Sequence, residues 1–219
     1  MSLSKKASVF CRVVHSPTVI LTIYAILCLL VLSGCKQQKN DKNAELADAI
    51  KWFTSQTSRY DVITGETRNN HSIILVGDKN PEVEGLYTSF RVFVMQKDGD
   101  VYLVKAAKTV ETAMSAGFSA SVLVTDGMTI VFGDIADGIY DFSSDKIVPA
   151  EFSEARVIYD EGKDAATVIS NNTPYMLILD GEVEVKDIEY SGDGTNVKYS
   201  DYFSDDLTAD AASEETGFE

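Results

Sequence analysis

Five Asp-Gly dipeptides punctuate the chain, at Asp98-Gly99, Asp126-Gly127, Asp137-Gly138, Asp180-Gly181 and Asp193-Gly194. Asp and Gly both tolerate the positive φ angles that the central positions of a tight hairpin turn demand. Short runs of β-branched and aromatic residues flank these dipeptides, which confines the chain to antiparallel pairing of short strands. Further strands are predicted at Ser72–Val76, Ile139–Phe142, Ala155–Tyr159 and Ala166–Ile169. The expected fold class is mainly β: an antiparallel, hairpin-rich sandwich or barrel-like sheet with one N-terminal α-helix.

Each turn imposes a register that can be read for chemical sense. A loop at Asp98-Gly99 would set Val94 opposite Leu103 and Phe93 opposite Val104. A loop at Asp126-Gly127 would set Leu123 opposite Ile130 and Val122 opposite Val131. Both ribbons are then apolar on both faces, as expected of strands covered on two sides. Asp180-Gly181 would pair Ile178 with Val183 and Met176 with Val185. Asp193-Gly194 would pair Tyr190 with Val197 and Ile188 with Tyr199, Glu189 with Lys198, and Lys186 with Asp201. The apolar phase slips between Val185 and Ile188, which predicts a bulge near Asp187.

A helix is predicted over Asn43–Ser58, where Leu46, Ile50, Phe53 and Thr57 recur at helical spacing with Ala49 and Trp52 beside them. Upstream, Lys5, Lys6 and Arg12 precede the uncharged run 18–32, which ends in Leu32-Ser33-Gly34-Cys35. A basic segment before an apolar one marks an export signal, and the run is short of the ~20 residues that span a bilayer. The Leu-Ser-Gly-Cys tetrapeptide in that place resembles the lipobox of bacterial lipoproteins. The resemblance covers the first 35 residues and implies cleavage between Gly34 and Cys35. It also implies diacylglycerol on the Cys35 sulfur and an N-acyl chain on its amine. Acyl chains contribute ~0.8 kcal/mol per buried methylene, so such an anchor is nearly permanent. Lys36, where enterobacterial inner-membrane lipoproteins carry Asp, points to the outer membrane.

Four segments are therefore expected: a signal peptide over 1–34, a lipidated tether over 35–42, one globular domain over 43–203 and an acidic disordered tail over 204–219. The whole chain carries a net charge of −15. Loss of the first 34 residues removes three basic side chains and no acidic one, so the mature product is more acidic still. Such a surface repels nucleic acid and anionic headgroups and suits a basic partner.

Residue counts exclude much chemistry. Cys11 and Cys28 fall in the export segment, and Cys35 is committed to lipid. His15 also falls there, leaving His71 as the sole imidazole. Zinc held by several His or Cys ligands of one chain is thus excluded. His71-Ser72 adjoin at a strand start and point to opposite sides, so they cannot act as a base and nucleophile pair. The expectation for His71 is a surface loop. Asp134, Asp137 and Asp141 are the best candidate ligands for calcium, although no twelve-residue EF-hand spacing occurs. No phosphate-cradling glycine loop is present.

Aromatic residues concentrate in the strands, and those near the end of the domain (Tyr190, Tyr199 and Tyr202) are candidate partner-binding residues. The functional expectation is a non-enzymatic, lipid-anchored envelope lipoprotein whose acidic β domain binds another envelope protein or assembly. Two further readings stay open. One is a periplasmic carrier of a small apolar or lipid ligand, enclosed by hairpins apolar on both faces. The other is a carboxylate- or calcium-dependent glycan hydrolase, which needs two carboxyls roughly 5–10 Å apart.

Overall fold

A computed structural model describes residues 42–113, 116–203 and 207. The expected signal peptide with Gly34, the expected lipidation site Cys35, the expected tether up to residue 41 and the expected tail apart from Leu207 lie outside the described residues. A helix over 42–56 (α1) is followed by thirteen strands. The first four, Tyr60–Arg68 (β1), His71–Lys79 (β2), Tyr87–Asp98 (β3) and Val101–Glu111 (β4), form an antiparallel meander in that order. Phe118–Thr125 (β5), Met128–Ile135 (β6) and Tyr175–Asp180 (β11) form a three-stranded sheet with β6 in the middle. Gly138–Asp141 (β7) and Lys146–Pro149 (β8) make a separate ribbon. Glu154–Tyr159 (β9), Lys163–Val168 (β10), Val185–Gly192 (β12) and Thr195–Lys198 (β13) form a sheet of order β10-β9-β12-β13. A 3₁₀ turn, Tyr199–Asp201, follows. The fold is mainly β and antiparallel, and no sheet closes into a barrel among the described residues.

Alternation along the strands stacks these elements in layers. Ile74, Val76, Phe93 and Met95 of the meander turn toward α1 and bury Ala49 and Phe53. The intervening residues Ile73, Leu75, Val92 and Val94 turn the other way and meet Leu123, Ile130, Phe132 and Ile178 of the middle sheet. The opposite face of that sheet, with Val122, Val131, Tyr175 and Leu179, packs on Ala155, Val157, Ile188 and Tyr190 of the last sheet. A helix and three sheets therefore enclose three apolar layers. Each large side chain buried there contributes about 1.5–3 kcal/mol. Sheets covering both faces account for the two-sided apolar character of β5 and β6. The layers belong to the compact unit Leu46–Glu219.

Turn chemistry decided some registers and not others. Asp126 and Gly127 have φ of 47° and 71° and set Leu123 opposite Ile130 and Val122 opposite Val131, as expected. Tyr190 opposite Val197 and Glu189 opposite Lys198 hold as well, and the β12–β9 register shifts between Val185 and Asp187. The first hairpin differs by two residues. Its loop is Gly99-Asp100, so Gln96 faces Leu103 and Met95 faces Val104. Gly99, with φ 62°, takes the first central position, where a II′-type turn wants glycine. Asp180-Gly181 closes no hairpin. Asp180 pairs with Met128, and Gly181 donates to the Gly127 carbonyl at 2.9 Å, as the chain leaves the middle sheet for the last one. Lys198 ends β13, so Ile188 and Lys186 have no strand partners at Tyr199 and Asp201. Asp137-Gly138 links β6 to β7 without forming a hairpin. The β1–β2 turn comes instead from Asn69-Asn70, with φ of 50° and 61°.

Polar contacts tie the layers at their turns. Arg68 donates from Nε and Nη2 to Asp180 at 3.0 Å, and from Nη1 to the Ile178 carbonyl at 3.2 Å. His71 is buried, not a surface-loop residue, because its Nε2 sits 3.3 Å from Asp126 under the middle sheet's turn. Asp48 of α1 accepts from Lys97 Nζ at 2.6 Å and from Tyr102 Oη at 3.2 Å. No helix among the described residues is long and apolar enough to cross a membrane.

Candidate functional site

Gly117 begins the site. Its φ is +92°, and a β-carbon there would lie 2.1 Å from the Gly138 carbonyl oxygen. Only glycine lets the strand entering β5 approach β7 so closely. The approach is held by Ala136 N donating to Gly117 O at 2.8 Å and Tyr140 N donating to Ala116 O at 3.2 Å. Phe118 then projects into a ring cluster and is buried. Its centroid lies 4.9 Å from Tyr190, 4.8 Å from Tyr202, 5.8 Å from Phe203 and 6.2 Å from Tyr199. Tyr199 stacks on Phe203 at 4.4 Å.

Outward from Phe118 the cluster becomes accessible. Phe142 rests 5.1 Å from Tyr202 and 5.2 Å from Tyr140, yet is 65% exposed. Ile147, opposite Tyr140 in the β7–β8 ribbon, is exposed to the same extent, 65%. Ala116, Tyr140, Phe142, Tyr202 and Phe203 line an open cavity of about 260 Å³. A second cavity of about 180 Å³ shares Ala116 and Phe203 and extends past Ser119 and Tyr199 to Glu111. Together they form one aromatic-walled cleft.

Carboxylates of the β7–β8 turn adjoin its aromatic wall. The Tyr140 hydroxyl donates to Asp145, which together with burial and Asp141 pushes the phenol up from its ordinary 10.0. Asp141 accepts from the hydroxyls of Ser144 at 2.7 Å and Ser143 at 2.8 Å, and these hold its carboxyl below the ordinary range. Tyr202 is raised by burial first, then by the charges of Asp141 and Asp201. Lys146 faces Asp141 across the ribbon. Asp134 lines neither cavity but accepts from two residues that line the second, Ser119 Oγ at 2.5 Å and Ala113 N at 3.0 Å. Burial pushes its carboxyl up against the opposing pull of those bonds. An open apolar cavity flanked by a few polar groups is a usual form of a binding site.

Of the three tyrosines expected to bind a partner, Tyr199 and Tyr202 reach this cleft. Tyr190 does not, because it is fully buried and bonded through its hydroxyl to Tyr175 at 2.7 Å. Tyr140 and Phe142 were missed. Their spacing of two, on either side of Asp141 and just before Ser143-Ser144-Asp145, carries the signal: aromatic residues on the outer face of a ribbon that ends in a polar turn.

Asp134, Asp137 and Asp141 have separate engagements. Asp134 is held by Ser119, Asp137 accepts from Asn172 Nδ2 at 2.6 Å, and Asp141 binds its own turn. Among the described residues no group of three or more His, Cys, Asp or Glu side chains is placed to hold a metal ion. Asp137 also lines a polar cavity of about 570 Å³ with Glu151, Asp193, Ser170, Asn171 and Thr195. The Asn171 side chain is used structurally there. It donates to the Ala136 and Ala150 carbonyls and accepts from Phe152 N, joining three loops. No family model, no curated protein and no solved structure matches the chain.

Proposed function

We propose that the protein is a lipid-anchored adaptor of the bacterial envelope, moored through Cys35, whose acidic β body binds another envelope protein at the aromatic cleft. The observation that carries this reading is Phe142. A phenylalanine 65% exposed, continuous with Ile147, Tyr140 and Tyr202, leaves apolar surface in water that a partner's docking removes. The acidic balance of the whole chain, net −15, supports a basic partner and steers it over distance. The lipobox resemblance supports the anchor, with the outer membrane favoured by Lys36.

Affinity capture of the native, lipidated protein from envelope extracts tests the reading against a Phe142→Ser, Tyr202→Ala variant. One envelope protein, identified by mass spectrometry, should be retained by the wild type and lost from the variant. Equal recovery by both would remove the cleft from the adaptor model. The intact mass of the native product should correspond to a chain beginning at acylated Cys35, and a bare thiol would remove the anchor.

A further inference from the structure

Ring faces carry the negative end of an aromatic quadrupole, and carboxylates beside them add to that potential. At the cleft the rings of Tyr140, Phe142, Tyr202 and Phe203 stand beside Asp145, bonded to the Tyr140 hydroxyl, and Asp141, between Tyr140 and Phe142 in the chain, with Lys146 the neighbouring cation in the ribbon. A neutral apolar anchor entering there would strip water from the acidic rim without supplying a counter-charge, and an anionic ligand would be repelled. The cavity, about 260 Å³, has room for one long side chain. Long cationic side chains satisfy both conditions, because their methylene stems cover apolar surface while the charged head reaches the rim.

We propose that the cleft lined by Tyr140, Phe142, Tyr202 and Phe203 receives a lysine or arginine side chain presented by a basic segment of the partner protein. This rests on the adaptor reading and names the chemistry of the partner's anchor. The stem packs along the outer surface of the touching Phe142 and Tyr202 rings, and the cationic head lies toward Asp141 and Asp145. Acidic groups that repel anionic lipid at this rim favour a protein source for the cation.

The test uses the full-length protein in mild detergent and two labelled short peptides, one rich in lysine and one with norleucine at each lysine position. Fluorescence anisotropy reads both affinities. The lysine peptide should bind at least about fivefold tighter, and rising salt should narrow the gap. Phe142→Ser or Tyr202→Ala should abolish the preference. Asp145→Asn, which keeps an acceptor for Tyr140 and suits the positive φ of 57° at that position, should reduce it. Unchanged melting of the Phe142→Ser protein separates lost binding from lost folding. If norleucine binds as tightly and Phe142→Ser weakens both peptides, the cleft takes a neutral segment; the inference fails and the adaptor reading stands. If lysine is preferred regardless of Phe142 and Tyr202, the cation sits elsewhere on the acidic surface and the inference fails. If neither peptide binds, the inference fails, and the capture experiment decides separately whether the adaptor reading survives.

Discussion

The hydroxyls of Tyr175 and Tyr190 lie 2.7 Å apart with both side chains buried, so one hydrogen bond spans the gap between the middle sheet and the last. Burial drives both phenols well above their ordinary 10.0, which keeps them neutral and able to donate. One hydroxyl donates and the other accepts. Either Tyr→Phe change alone strands a buried hydroxyl and should cost about 1–3 kcal/mol. The double Phe variant should lose less than the sum of the singles, since no polar group is left behind. Urea unfolding of the three variants measures this, and strict additivity would contradict a direct bond.

Arg68 joins the first sheet to the middle one through two bonds to Asp180 and one to the Ile178 carbonyl. The Asp180 side chain is 76% exposed, so water screens its share. Asp180→Ala should therefore cost under about 1 kcal/mol, whereas Arg68→Ala, which also frees the carbonyl, should cost about 1–2 kcal/mol. Denaturant midpoints of the two variants test the asymmetry, and equal losses would place the whole effect in the ion pair.

Burial of the Asp134 carboxyl ties stability to pH. Its folded-state pKa is raised by burial, so between its ordinary 3.8 and that higher value the folded state binds more protons than the unfolded one. The stabilisation from the protonated form is complete below the ordinary value and is lost as pH rises through the raised one. Asp134→Asn, which does not ionise and still accepts from Ser119 and Ala113, should gain on the wild type as pH increases above about 4. Paired urea titrations at acid and neutral pH read the difference, and a constant offset would remove Asp134 from the linkage.

Gly117→Ala places a methyl group 2.1 Å from the Gly138 oxygen at φ +92°. Nothing at that contact is a flexible side-chain end, so backbone must move. A loss of more than about 2 kcal/mol is expected, together with a weakened partner interaction, since Ala116 and Phe118 are displaced with it. Thermal melting alongside affinity capture distinguishes this from Phe142→Ser. That change, at an exposed ring, should shift stability by no more than about 0.5 kcal/mol while abolishing capture.

Local chemistry made much of the framework legible. The helical stripe of Leu46, Ile50 and Phe53 packs on the meander as its spacing implies, with Phe53 fully buried. Asp126-Gly127 and Asp193-Gly194 set their registers because both turn residues have φ > 0 and the imposed pairs agree with burial or charge. Asp98-Gly99 misled because the glycine serves either place of a two-residue loop, and the alternative moves every cross-strand pair by two. Asn69-Asn70 was readable in principle, since Asn tolerates the left-handed region as Asp does.

Composition, periodicity and turn residues determined that this chain is antiparallel, hairpin-rich, acidic and helix-capped at one end, because each of those properties depends on residues near one another in sequence. Tertiary structure decided that β11 pairs with β6 instead of folding back on β12. It also buried Tyr190 and His71, separated the three aspartates, and gathered Tyr140, Phe142, Tyr202 and Phe203 around one cleft. Those outcomes depend on which apolar faces cover one another across distant stretches of chain. Sheet stacking selects among them by total buried area, a quantity that no local segment encodes.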